Sequence, residues 1–141
     1  MSQAPKPLPE LDDATLAFAE QVFDSARGGD SARLGELLVQ GMPANLCNHA
    51  GDSLLMLASY HGHLDASRLL LQHGADVESR CEDGKTALMM AAMFNRVAIV
   101  EYLATQGADP RASDSNGATA LAAARMMGAA DTEALLQRLG A

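Results

Sequence analysis

The sequence has no tryptophan and only two tyrosines and three phenylalanines among 141 residues, so aromatic side chains cannot dominate a core. Apolar volume must come from leucine, alanine and methionine, a composition that favours helices. Cysteine is nearly as scarce. Cys47 and Cys81 are too few for a disulfide framework, and two free thiols fit a reducing compartment. Apolar runs are short: no segment approaches the roughly 20 residues of a membrane span, and the opening MSQAPKPLPELDD lacks a run of signal-peptide length. A cytoplasmic location is the expectation, with residues 1–10 as a flexible tail ahead of one domain over 11–141, long enough to bury a core unaided. Positive charge is also in deficit. Ten Lys and Arg against 18 Asp and Glu leave a formal net charge of −8, which argues against nucleic acid and anionic membranes and leaves a basic partner open. Eight arginines against two lysines, with abundant alanine, point to a high-GC bacterial source.

What the sequence has in plenty is repetition. Gly51, Gly84 and Gly117 are 33 residues apart, and Gly41, Gly74, Gly107 and Gly140 keep the same step. Leu55, Leu88 and Leu121 follow it, as do Ala58, Ala91 and Ala124. A period of this length marks a solenoid of stacked small units.

One unit shows what is stacked. In GKTALMMAAMFN, Thr86 can cap a helix, and Leu88, Ala91 and Ala92 fall on one face at i, i+3, i+4. Met90 fits that core face at helical spacing, whereas Met89 and Met93 lie on a different one. Asn95 stands where other units have Gly62 and Gly128, all tolerant of the left-handed backbone that ends a helix. VAIVEYLATQG then gives a second, antiparallel helix lined by Val97, Val100, Leu103 and Ala104 and stopped by Gly107. The polar ADPRASDSN is too short for another helix and should project as a finger towards the next unit.

GDSLLMLASYHGHLDASRLLLQHGADVESR, GKTALMMAAMFNRVAIVEYLATQGADPRA and GATALAAARMMGAADTEALLQRLGA resemble ankyrin repeats, with a degenerate copy in ARGGDSARLGELLVQGMPANLCN. The resemblance implies an all-α solenoid of stacked helix-turn-helix units with projecting hairpin or loop fingers, over about 12–50, 51–83, 84–116 and 117–141. It departs from the family at T-P-L-H, which reads Ser53-Leu54-Leu55-Met56, Thr86-Ala87-Leu88-Met89 and Thr119-Ala120-Leu121-Ala122. The hydroxyl cap survives, while loss of the histidine is expected to make the first helices unusually apolar at their surface. Thr132 and Glu133 at one end, and Arg33 and Glu36 at the other, should give the terminal units polar outer faces.

Chemistry is sparse. His61-Gly62-His63 with Asp65, and His49 and His73 nearby, are metal-ligand types, but the family's own turn pattern accounts for Gly-His and the following acid. Met89, Met90, Met93, Met126 and Met127 could offer thioethers to copper(I), against the simpler reading as packing residues. No G-x-S-x-G, H-E-x-x-H or P-loop occurs, and Gly84-Lys85-Thr86 reads as the start of a helix. No catalysis, cofactor or metal is expected.

Binding is what remains. The resemblance implies that residues at equal phase stand side by side on a concave face. Tyr60, Met93 and Met126 are so related, as are His61, Phe94 and Met127, and Met56, Met89 and Ala122. A contiguous apolar strip on a soluble protein marks an interaction site, with packing inside the protein as the rival reading. The finger tips add charge at Glu82, Asp83 and Lys85, suiting a partner with a basic rim, unless they are simply solvated turns. The sequence therefore points to a non-catalytic protein-binding module, monomeric unless bound, with Met56, Tyr60, His61, Glu82, Asp83, Lys85, Met89, Met93, Phe94 and Met126 as contact residues. An accessory or protective protein for a bacterial enzyme, and a metal- or cofactor-handling protein, are the alternatives.

Overall fold

A computed structural model describes residues 13–141. The tail expected over 1–10 lies outside the described residues. Among the described residues, eight helices form four consecutive pairs: α1 (Asp13–Gly28) with α2 (Ser31–Val39), α3 (Leu54–Tyr60) with α4 (Leu64–Gln72), α5 (Ala87–Met93) with α6 (Val97–Thr105), and α7 (Ala120–Met127) with α8 (Ala130–Arg138). Each pair is joined by so short a turn that the two packed helices must run antiparallel. The first helices form one row, α1, α3, α5, α7, and the second helices form another, α2, α4, α6, α8. Among the described residues there is no extended strand; the bases of two fingers close with isolated antiparallel bridges, Cys47 to Ser53 and Ser113 to Thr119. The all-α repeat solenoid expected from the 33-residue period is the observed architecture.

Local chemistry sets the helix limits. The hydroxyls of Ser53, Thr86 and Thr119 accept from the N–H groups of Met56, Met89 and Ala122 at 3.1, 3.3 and 3.2 Å, satisfying donors that a helix start leaves free. The turns out of α3, α5 and α7 need positive φ, supplied by Gly62, Asn95 and Gly128 at 82°, 58° and 70°. Inside, Leu55 and Leu88 are 1% exposed and Ala58, Ala91 and Ala124 are fully covered, so the core runs unbroken along the stack.

Three expectations about the core need correction. Met56 and Met89 are buried, not surface residues, and Met90, expected in the core, is only half-buried against it. A first helix in the middle of the row is covered on both flanks as well as by its own partner, as α5 is by α3, α7 and α6, so burial extends well beyond one helical face. The thioether of Met56 even substitutes for the missing polar group, its sulfur accepting from the Ser53 N–H at 3.4 Å to complete a capping box. Thr132, expected on a polar outer face, is fully buried, and its N–H and hydroxyl both donate to Asn95 Oδ1, at 3.1 and 2.9 Å. The polar end of α7 and α8 comes instead from Arg125 and Glu133, which pair at 2.9 Å.

Polar rungs tie the units together. Asn45 Oδ1 accepts from the Asp76 N–H at 2.7 Å, Glu78 Oε1 accepts from the Asp109 N–H at 2.7 Å, and Arg111 Nε donates to the Gly140 carbonyl at 2.8 Å. These three residues occupy equal phase. Neighbouring fingers join through the Glu82 N–H to the Ala50 carbonyl at 3.1 Å and the Ser115 N–H to the Asp83 carbonyl at 3.0 Å.

Candidate protein-binding face

The exposed stripe of the first-helix row lies at its C-terminal end. Tyr60 is 37% exposed, Met127 51% and Met126 84%, with Met93 and Phe94 half-buried between them. Tyr60 and Phe94 are in ring contact at 4.3 Å between centroids, so two successive units share one aromatic surface, and His61 stands edge-on to Tyr60 at 4.7 Å. Of the ten expected contact residues, Tyr60, His61, Met93, Phe94 and Met126 are brought along this stripe, and Met56 and Met89 drop out through burial.

The fingers hold the other three. Glu82 and Asp83 are exposed, while Lys85 is only 25% exposed, with Asp83 and Asp114 carboxylates 4.0 and 3.8 Å from its ammonium. Lys85 thus serves the finger before it serves a partner. Asp114 is held below its ordinary value first by the Ala118 N–H, with the Asn116 N–H and Lys85 adding to this and burial opposing it. Arg80 braces the same region, donating from Nη1 to the carbonyls of Gly84 at 2.8 Å and Ser113 at 2.6 Å.

The sequence did not signal that a second set of residues comes together. Arg27, His63 and Arg96 cluster with His61 where the first helices end. His63 Nε2 lies 2.7 Å from the Arg27 carbonyl, and Arg96 Nε donates to the Tyr60 carbonyl at 3.3 Å. His63 and Arg96 are 33 residues apart, the signal that could have paired them. His61 is held below its ordinary value by burial first, then by His63, Arg27 and Arg96. At the first unit a groove of about 550 Å³ opens between α1 and the first finger, lined by residues including Phe23, Arg27, Cys47 and His49. Phe23 stands at the phase of Met56 and Met89 but stays half-exposed.

Metal-ligand types do not converge: among the described residues no group of three or more His, Cys, Asp or Glu side chains could hold an ion. Cys47 is exposed and Cys81 half-buried, both as free thiols. No described helix is long and apolar enough to cross a membrane.

The family model for ankyrin repeats in three copies matches residues 23–114 and 83–141. An ankyrin repeat protein of Pseudomonas aeruginosa is 65% identical over 63 residues, covering 45% of this chain and 37% of that protein. An inactive serine/threonine-protein kinase of Mus musculus is 32% identical over 66 residues, 47% of this chain and 5% of its own. An ankyrin repeat domain-containing protein of Danio rerio is 41% identical over 66 residues, 46% of this chain and 22% of its own. The matches therefore span well under two thirds of these relatives. Ankyrin repeats generally mediate protein–protein interaction and are typically non-catalytic. With the family model extending from residue 23 to residue 141 over helix pairs that stack at a 33-residue step, the chain belongs to the ankyrin repeat family.

Proposed function

We propose that this chain is a non-catalytic, cytoplasmic binding module that takes one protein partner on the concave face of the stack. Tyr60, His61, Met93, Phe94 and Met126 form the apolar floor, and Glu82 and Asp83 form an acidic margin suited to a basic rim on the partner. The observation that carries this reading is the run of apolar side chains at equal phase through three successive units, none of them fully buried, from Tyr60 at 37% through half-buried Met93 to Met126 at 84% exposure. Leaving such a surface open to water contributes nothing to the fold, and methionine adapts well to an apolar protrusion.

The test is affinity capture from the native cell with the wild-type chain and with Met126→Glu. The substitution should leave stability within about 0.5 kcal/mol, as at ordinary surface sites. A desolvated anchor contributes about 2 kcal/mol or more, so the partner should be held about thirtyfold more weakly. A partner retained equally by both chains would place binding elsewhere.

A further inference from the structure

We infer that the edge built by Tyr60, His61, Phe94 and Arg96, with Arg27 and His63 beside them, receives an acidic side chain of the protein partner. This rests on the protein-binding reading above and assigns the chemistry of one contact within it. In a chain of net charge −8, two of the eight arginines and two of the four histidines gather at this one edge. Their arrangement leaves donors free. Arg27 is already paired with Asp24 at 2.9 Å, and one nitrogen of His63 is used at the Arg27 carbonyl. Arg96 forms no ion pair among the described residues, and its bond to the Tyr60 carbonyl uses only Nε.

The Arg96 side chain is also held in place. It packs against Gly62, where a Cβ would meet Nε, Cδ and Cζ at 3.0 to 3.1 Å, and the bond from Nε to the Tyr60 carbonyl anchors the guanidinium while its terminal nitrogens make no hydrogen bond among the described residues. A planar guanidinium with two parallel donors suits a carboxylate. His61, exposed and 6.5 Å from His63 ring to ring, stands next to it. The Tyr60 and Phe94 rings supply an apolar shelf that keeps water from part of the site, which strengthens a charge-assisted bond. Helix dipoles do not set the sign here, because the ends of α3 and α5 meet the starts of α4 and α6. Side chains do. The finger side of the same face carries the exposed acids Glu82 and Asp83, so the face is polarised and fixes which way round a partner lies.

Binding should also respond to pH. His61 faces Arg27 and, through it, Asp24 on α1, Tyr60 on α3, Arg96 before α6, and His63 at the start of α4, whose first turn carries Asp65. A carboxylate added among these groups favours protonated His61, so affinity should rise as pH falls through the histidine range.

A random peptide library displayed on phage and selected on the purified full chain supplies the probe. Enriched peptides should carry Asp or Glu beside an aromatic or aliphatic residue. Arg96→Gln should weaken such a peptide about tenfold or more in calorimetry, the scale of one charge-assisted bond. His61→Gln, at an exposed ring that carries no structural bond, should flatten the pH dependence. Replacing the peptide's acid by its amide should reproduce the loss on the wild type and add nothing on Arg96→Gln. Peptides that shift the Tyr60 and Met126 resonances but bind both variants and the amide form unchanged would overturn this contact and leave the binding face standing, and so would enrichment of basic peptides alone. A library that yields no ligand for the strip would overturn both.

Discussion

Asn95 adopts a φ of 58°, a left-handed backbone that its equivalents give to glycine, and the next unit explains why a side chain is tolerated there. A Cβ on Gly29 would lie 2.4 Å from the ring of His63, and one on Gly62 would lie 3.0 Å from Arg96. The residue that would press on position 95 is Ala129, in phase with His63 and Arg96 but too short to reach. Asn95 uses the opening to accept from Thr132, which puts a side-chain cap on α8 that Ala129 cannot provide. Asn95→Ala should therefore cost about 2–5 kcal/mol in denaturant unfolding, combining left-handed strain with a buried Thr132 hydroxyl left unsatisfied. Asn95→Gly should cost less, because only the bond is lost. Titration adds a second residue-scale expectation. His61 is held low, so the folded state binds its proton less readily than the unfolded chain, and stability present above the histidine range is lost as pH falls through it. Asp114 is also held low, so its contribution persists above the ordinary carboxylate range and is lost as pH falls through the folded value. The melting temperature should fall in two stages on acidification. His61→Gln should remove the first and Asp114→Asn the second; a melting curve unchanged in either variant would show that the corresponding group is not responsible.

At the scale of the helix, neighbours in the row decide what an amphipathic pattern means. Thr86, Leu88 and Ala91 are placed correctly by spacing and capping, since these depend on one helix and its own turn. Met89 is not, because its burial to 2% depends on α3 and α7 lying on both sides of α5. Leu88→Ala and Met89→Ala should both cost about 2–5 kcal/mol, the range for large-to-small changes in a packed core. Met126, at the same phase as Met93 but on the last first helix, should behave as a surface residue when replaced by alanine, within about 0.5 kcal/mol. Thermal or chemical unfolding of the three variants separates core methionine from surface methionine. Equal losses in all three would make the whole stripe core.

Across the whole molecule, each unit buries its apolar flank only against the next. Removing residues 117–141 takes away α7 and α8, and with them the cover over Ala91 and Leu103, the Asn95 to Thr132 bonds and the Arg111 to Gly140 bond. The shortened chain should melt at a clearly lower temperature and less cooperatively, as stacked units lose their interface contributions. A shortened chain with the parent's melting curve would contradict the nearest-neighbour stack. The sequence by itself determined the 33-residue period, the hydroxyl caps at Ser53, Thr86 and Thr119, the left-handed turns and the aliphatic core, because each follows from local backbone geometry repeated in phase. Only the tertiary structure decided that Met56 and Met89 are buried, that Thr132 turns inward to Asn95, and that Arg27, His61, His63 and Arg96 share one edge. Those outcomes depend on the lateral distance between units, which leaves a narrow stripe of each first helix open, and no spacing within a single repeat encodes that distance.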